Sequence, residues 1–178
     1  MNWSDEDATQ AFAQRLAGNP ALRHAFVELR GNLGAGKTTL VRHLLRALGV
    51  QGRIKSPTYA VVEPYTLERH EQTYPRPTDA TGETSRTGES NGAADDDFNI
   101  WHFDFYRFSD PREWADAGFR DIFASPGLKL AEWPQNAGGH LPLADLVIEL
   151  TTLPDETRTA AVTAQTGTGQ QLLEGLIA

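Results

Sequence analysis

The chain has 178 residues, of which 39% are hydrophobic and 22% are charged, a balance typical of one folded globular domain. Its formal net charge of -8 argues against tight nucleic-acid binding by the chain alone, because neutralising phosphates needs clustered Lys and Arg. With no cysteine, the chain can form neither a disulfide framework nor a thiolate metal site.

Membrane and export signals are not visible in the sequence. No run of about 20 apolar residues, the length needed to cross a bilayer, occurs. The first residues, MNWSDEDATQAFAQRL, are acidic and amphipathic and lack the basic start and apolar centre of a signal peptide. We therefore expect a cytoplasmic protein without a membrane partner.

The first half of the chain alternates between helical and extended patterns. Apolar residues at helical spacing predict a helix over 5–16, which the Gly-Asn-Pro of 18–20 ends. A buried strand is predicted over 25–30 and a second helix over 38–48, with Gly49 as its stop. A short strand over 58–64 follows Ser56 and Pro57.

Residues 68–97 differ in composition from everything around them. Their only large apolar side chain is Tyr74, among many Thr, Ser, Gly, Pro and acidic residues. Such a segment cannot bury enough surface to offset its ordering entropy. We interpret it as a flexible insertion between two strands.

Order is predicted to resume with an aromatic, β-rich run over 98–106. Asp110, Pro111 and Glu113 have the pattern of a capped helix start. Further elements are strands over 127–131 and 144–150, an edge strand over 158–164 and a terminal helix over 170–177. The alternation of strands and helices predicts an α/β sandwich, with residues 1–178 as a single domain.

Residues 31–38 spell GNLGAGKT, a full match to the phosphate-loop pattern G-x-x-x-x-G-K-[ST]. Glycines let the backbone curl around one anion, and the following helix adds its positive dipole end. In this motif Lys37 reaches the β- and γ-phosphates and the Thr38 hydroxyl binds Mg²⁺. The predicted nucleotide contacts are Leu33, Gly34, Ala35, Gly36, Lys37, Thr38 and Thr39.

A phosphate loop needs a second carboxylate to hold the metal ion or its waters. Asp104 and Glu132 each end a β-like run, and ligands bind at the carboxyl ends of parallel strands. Both are candidate catalytic and metal-binding residues. His102 has the same side-chain parity as Asp104, so it either faces the site or is an ordinary strand histidine. Arg107 is a candidate charge stabiliser or the partner of a nearby acid.

Several motifs together resemble one known family. LRGNLGAGKTTLVRHLLRALGV, KSPTYAVVEPY, WHFDFYR, LAEWP and LPLADL resemble, in order, the motifs of the TsaE (YjeE) family of bacterial P-loop ATPases. The resemblance covers nearly the whole chain apart from residues 68–97. It implies a P-loop NTPase-type three-layer sandwich with a central, mostly parallel, mixed sheet.

The resemblance also implies a function. Members of this family support N6-threonylcarbamoylation of adenosine 37 in tRNAs that read codons beginning with A. They do so with TsaB and TsaD, where TsaD transfers the threonylcarbamoyl group and the family member hydrolyses ATP with Mg²⁺. The protein is therefore expected to meet tRNA only through that complex and to hydrolyse ATP weakly alone.

Site roles carried over from the family extend the phosphate-loop prediction. Lys37 would act on the phosphates, while the Ser56 to Thr58 segment would sense the γ-phosphate. Asp104 would position water or act as the Walker-B-like acid, and Glu132 would be linked to the metal ion. Thr9 matches a family threonine near the nucleotide base.

Asn32 departs from the family, which usually has Asp at this loop position, so one negative charge beside the phosphates is missing. Two other functions fit the phosphate loop. A P-loop kinase of a small metabolite would need an acceptor pocket, and a nucleotide-gated interaction protein would hydrolyse only incidentally. A regulatory GTPase is disfavoured, because the guanine-reading Asn-Lys-x-Asp motif is absent.

Overall fold

The computed structural model of the protein describes residues 1–68, 97–108, 110, 114 and 117–177. In these residues one seven-stranded sheet has the order β1-β7-β6-β2-β5-β4-β3. Its strands are β1 (Asn2–Trp3), β2 (Phe26–Arg30), β3 (Val62–Leu67), β4 (Phe98–Asp104), β5 (Leu128–Glu132), β6 (Leu146–Thr152) and β7 (Arg158–Ala164). The helices are α1 (Glu6–Ala17), α2 (Lys37–Leu48), α3 (Phe119–Ala124) and α4 (Gly167–Ile177), with 3₁₀ turns at Pro20–His24 and Pro134–Ala137.

The centre of the sheet is parallel and its margins are antiparallel. β2 pairs in parallel with β5 and β6, and β4 pairs in parallel with β5. β3, β7 and β1 add antiparallel pairs at the two sides. Because β2, β4 and β5 run in the same direction, their carboxyl ends meet at one edge of the sheet. The register places Leu29 and Asp104 on either side of Glu132 at that edge.

The two faces of β4 pack into two different hydrophobic clusters. Phe98 and Ile100 belong to a cluster with residues of α1, α2 and α4. Phe103 packs on the other face with Phe119 of α3 and with Trp114. The sheet is thus a layer between two helical layers, which confirms the predicted three-layer α/β fold with a mixed, largely parallel sheet.

The helices α1, α2 and α4 and most strands lie within three residues of their predicted positions, whereas α3 was not predicted. The first helix is capped by Asp5, whose carboxylate accepts from the Ala8 N–H at 2.9 Å, as the Ser-Asp start of this segment favours. Among the described residues no helix has the length and apolar character needed to span a bilayer.

Two predicted strands need correction. The strand predicted over 58–64 begins only at Val62, since Val61 has a left-handed φ of 65° and interrupts the extended backbone. The strand at 158–164 is not wholly an edge, because Asn2 and Trp3 pair with its first residues. A two-residue strand is too short to show a periodic pattern, so β1 could not be predicted.

Two predictions lie outside the described residues. The insertion falls between β3 and β4, but its residues 69–96 are not described, and neither are Pro111 to Glu113 of the capped helix start. The single domain spanning 1–178 stays a prediction.

Candidate nucleotide-binding site

The loop between β2 and α2 depends on glycine at two positions. Gly31 has φ 134° and Gly36 has φ 101°, backbone conformations that other residues rarely adopt. A Cβ atom on Gly31 would also collide with the carbonyl oxygen of Leu150 in β6. The loop therefore curls tightly over the carboxyl edge of the sheet.

The N-terminus of α2 is open to a ligand. Gly36 is its N-cap residue, and no side chain caps it, so the first N–H groups of this 12-residue helix have no acceptor within the helix. Unpaired N–H groups and the positive end of the helix dipole together form an anion site. This arrangement fits the phosphates of a nucleotide.

Lys37 is buried beside this helix end, with 4% of its surface exposed. Its Nζ donates to the carbonyl oxygens of Gly31 at 2.7 Å and Asn32 at 2.9 Å, and it lies 4.0 Å from the centre of the Trp133 ring. Burial lowers the pKa of Lys37, while the nearby carboxylates of Glu132 and Asp104 act in the opposite direction.

Asn32 serves this arrangement through its backbone. Its carbonyl oxygen accepts from Lys37 Nζ and from the Ala35 N–H at 3.2 Å. Any residue at this position offers that oxygen, so the exchange of Asp for Asn leaves the lysine contact in place.

Glu132 receives hydrogen bonds from two different elements. The Thr38 hydroxyl of α2 lies 2.9 Å from both carboxylate oxygens, and His102 Nε2 of β4 lies 2.9 Å from Oε1. Glu132 is only 2% exposed. Thr38 and Glu132, both predicted from the sequence to bind the metal ion, are therefore in direct contact.

Asp104 is bound to the segment that follows α2. Its Oδ2 accepts from the hydroxyls of Ser56 and Thr58, the latter at 2.7 Å, and these two hydroxyls are 2.8 Å apart. Its Oδ1 accepts from the Tyr106 N–H at 3.0 Å. The Ser-Pro-Thr segment is thereby held at the same edge of the sheet as the phosphate loop.

These groups surround a cavity of about 290 Å³. It is lined by Leu33, Gly34, Gly36, Lys37, Thr38, Thr39, Ser56, Thr58, Asp104, Tyr106, Glu132 and Trp133. The sequence therefore predicted most of the wall, although the ligand contacts themselves stay predictions. Two predicted residues are not part of this wall: Ala35 is buried in the core below the loop, and the Thr9 hydroxyl donates to the Asp5 carbonyl within α1 at 3.5 Å.

The family model described as "Threonylcarbamoyl adenosine biosynthesis protein TsaE" matches residues 3–76 and 88–160. The chain belongs to the TsaE family. The tRNA threonylcarbamoyladenosine biosynthesis protein TsaE of Haemophilus influenzae is 34% identical over 162 residues, which cover 91% of this chain and 84% of the relative. The protein of the same name from Bacillus subtilis is 27% identical over 148 residues, covering 83% and 75%.

A solved structure agrees with the TsaE fold. The crystal structure of Bacillus subtilis YdiB matches with a TM-score of 0.64 and 22% sequence identity, covering 99% of this chain and 93% of that one. At this level of identity the likeness establishes the fold. The P-loop and the nucleotide-binding character predicted for this chain accord with TsaE membership.

The cavity wall of this TsaE-family protein includes two aromatic residues, Tyr106 and Trp133, for which no site role was predicted. Trp133 covers Lys37 and packs against Tyr106, with the two ring centres 5.0 Å apart. Its φ of 57° is left-handed, an uncommon conformation for a bulky residue. Such strain is not visible in a sequence. The one sequence feature that could have pointed to Trp133 is its position directly after Glu132, a predicted site residue.

Arg158 is a second residue that sequence reasoning missed. It starts β7, and its Nε and Cδ atoms lie so close to Gly36 that a Cβ atom there would be 3.3 and 3.4 Å away. Its Nε is buried and has no hydrogen-bond partner among the described residues. Because Arg158 lies 122 positions after Gly36 in the chain, only the sheet order brings this cation to the phosphate loop.

The oxygen donors of the TsaE site suit Mg²⁺ bound together with a nucleotide. Mg²⁺ is usually held by one or two protein oxygens plus substrate phosphates and waters, and Thr38 with Glu132 offers such a pair. No cluster of three or more His, Cys, Asp or Glu residues suited to a metal ion occurs in the described part of the chain. The hydroxyl of Thr38 and the carboxylate of Glu132 fit a metal ion that is bound together with phosphates.

Proposed function

We propose that this TsaE-family protein binds ATP with Mg²⁺ and hydrolyses it to support threonylcarbamoylation of adenosine 37 in tRNA. One observation carries the proposal. The Thr38 hydroxyl and the Glu132 carboxylate are hydrogen bonded at the uncapped N-terminus of α2, next to a buried lysine. This is the combination that phosphoryl chemistry requires: an anion cradle, a cation and a metal-binding oxygen pair.

The phosphates are bound by the loop and by two cations. The free N–H groups at the start of α2 cradle them, and Lys37 exchanges its carbonyl contacts at Gly31 and Asn32 for the β- and γ-phosphates. Arg158, with an unpartnered Nε beside Gly36, adds positive charge at the loop. These contacts fix the nucleotide in one orientation.

Thr38 and Glu132 hold the metal ion. When bound, Mg²⁺ neutralises charge on the transferred phosphoryl group and helps to orient it. Glu132 contributes negative charge from the end of β5, and its hydrogen bond from Thr38 keeps both oxygens at the same place. The pair is thus preorganised before ligand arrives.

Asp104 links the Ser-Pro-Thr segment to hydrolysis. Its carboxylate accepts from Ser56, Thr58 and the Tyr106 N–H, and a carboxylate has about four acceptor sites. The remaining site serves to order the attacking water. When the γ-phosphate is lost, the change at Asp104 would then alter its hydrogen bonds to Ser56 and Thr58.

The partners are the TsaB–TsaD complex, and tRNA is met through that complex. A net charge of -8 gives this chain little affinity of its own for a polyanion. The two relatives described above are named as tRNA threonylcarbamoyladenosine biosynthesis proteins, which supports this assignment.

A magnesium-dependent ATPase assay with and without TsaB–TsaD tests the proposal. We expect slow phosphate release from the isolated chain, a several-fold increase when the partner complex is added, and no activity when EDTA removes the metal ion. An unchanged rate with the partners, together with phosphate transfer to a small metabolite, would instead support the kinase alternative.

A further inference from the structure

His102 is a buried polar residue in an otherwise apolar row. Phe98 and Ile100, which precede it on the same face of β4, belong to the hydrophobic core. His102 has 0% of its surface exposed. A histidine here replaces what the pattern of the strand predicts to be one more apolar side chain.

The His102 ring makes one hydrogen bond, to Glu132. Its Nε2 lies 2.9 Å from Glu132 Oε1, while its Nδ1 has no partner among the described residues. Because a carboxylate only accepts, Nε2 is the donor in this contact. The ring therefore leaves a buried nitrogen without a hydrogen bond, which costs stability and points to a role other than packing.

The register explains how the ring reaches Glu132. Asp104 pairs with Glu132 and His102 with Leu130, so His102 lies one pleat below the carboxylate on the same side of the sheet. Thr38 approaches the same carboxylate from α2. Oε1 thus accepts from both His102 of β4 and Thr38 of α2, so donors from two different elements hold the carboxylate.

We infer that His102 is a positioning residue that fixes the Glu132 carboxylate toward Thr38 and thereby sets the affinity of the site for a Mg²⁺-bound nucleotide. The inference rests on the proposed function, since it needs a metal ion at Thr38 and Glu132. Partners of metal-binding side chains typically affect metal affinity 10- to 100-fold. His102 itself contacts no ligand in this account.

Two amide substitutions separate positioning from packing. In His102→Gln the side-chain amide nitrogen reaches the position of Nε2, whereas in His102→Asn it ends near the position of Nδ1 and falls short of Glu132. Both are polar and smaller than histidine, so losses due to burial and packing are similar. A third variant, His102→Leu, removes the hydrogen bond to Glu132 and places an apolar side chain at this buried position.

The measurement is the dissociation constant of ADP by calorimetry, with Mg²⁺ and with EDTA. For wild type we expect tighter binding with Mg²⁺. The Mg²⁺ gain is the ratio of the ADP dissociation constant in EDTA to that in Mg²⁺. In His102→Asn and His102→Leu this ratio should fall by roughly 10- to 100-fold, while the dissociation constant in EDTA stays within about twofold of wild type. In His102→Gln most of the ratio should be retained. Thermal melting identifies any variant that does not fold, and the Asn and Gln pair suffices if Leu fails.

The outcomes are distinct. The positioning role is overturned if wild type, His102→Asn and His102→Gln show the same Mg²⁺ gain in ADP affinity. It is also overturned if the variants lose ADP affinity equally with and without Mg²⁺. Either result leaves the proposed function intact. Absence of any Mg²⁺ gain in wild type overturns both. On a Glu132→Gln background, His102→Asn should cause no further loss, because the group that it positions is already altered.

Discussion

Lys37→Ala should weaken ATP binding by roughly 10- to 150-fold. A hydrogen bond to a charged group contributes about 1.5–3 kcal/mol, and the ammonium lies within the loop that receives the phosphates. The measurement is a titration of purified protein with ATP and Mg²⁺. The largest part of the loss is expected in the affinity for ATP rather than AMP, because Lys37 acts on the β- and γ-phosphates.

Lys55→Ala is the matched control for this experiment. Lys55 is exposed and lies outside the cavity wall, so its removal should leave affinity within about twofold, as surface substitutions usually do. The phosphate-loop assignment would be abandoned if Lys37→Ala bound ATP as tightly as the control. Melting curves of both variants show whether a loss of binding reflects a loss of folded protein.

Glu132→Gln should lower the rate of ATP hydrolysis by about 10- to 100-fold or more, the usual effect of altering a group that supports a metal ion. Stability should stay constant or rise. Asp104 and Glu132 are register partners in the parallel pair of β4 and β5 and are both buried. Removing one of two neighbouring like charges relieves repulsion, which offsets the weaker hydrogen bonds that Thr38 and His102 make to a neutral amide. The free energy of unfolding is therefore expected to change by no more than about 1 kcal/mol, while activity is lost.

The measurement combines steady-state phosphate release with chemical denaturation. Glu149→Gln in strand β6 is the control, because Glu149 is exposed and not in the cavity wall. If Glu132→Gln unfolds the protein, or retains the wild-type rate, Glu132 is a structural carboxylate and not part of the metal site.

The part of the site that is formed by consecutive residues could be predicted from the sequence. GNLGAGKT names the anion cradle, the lysine and the threonine at once. Asp104 and Glu132 were predictable because each ends an apolar strand, and parallel strands bring such ends together. Glu132 does contact Thr38 at the phosphate loop, whereas the contacts of Asp104 with Ser56 and Thr58 were not predicted.

The remaining parts of the site depend on long-range geometry. Arg158 reaches Gly36 only because β7 lies two strands from β2. Trp133 covers Lys37 because its backbone is left-handed, which no side-chain pattern reveals. The partner of His102 was open for the same reason: parity gave the face of the strand, but the register of β4 with β5 decides which group the ring meets.

Local competition explains the misplaced strand start. Thr58 and Tyr59 have good strand propensity, yet the Thr58 hydroxyl is committed to Asp104 and the backbone turns at Val61. Tertiary contacts thus overrule propensity where the chain approaches the cavity. Thr9, inferred from the family resemblance alone, is not among the residues that line the cavity, and its role at the base stays a prediction.

The most direct test of the account is the yield of threonylcarbamoyladenosine in tRNA. The TsaB–TsaD complex is supplied with tRNA, a threonylcarbamoyl donor and Mg-ATP, and modified adenosine 37 is counted per complex with wild-type protein or with Lys37→Ala. We predict a higher yield with wild type than with the variant, which should give no more than the reaction without added protein. Equal yields with wild type and Lys37→Ala would contradict the claim that nucleotide held at this loop drives the modification.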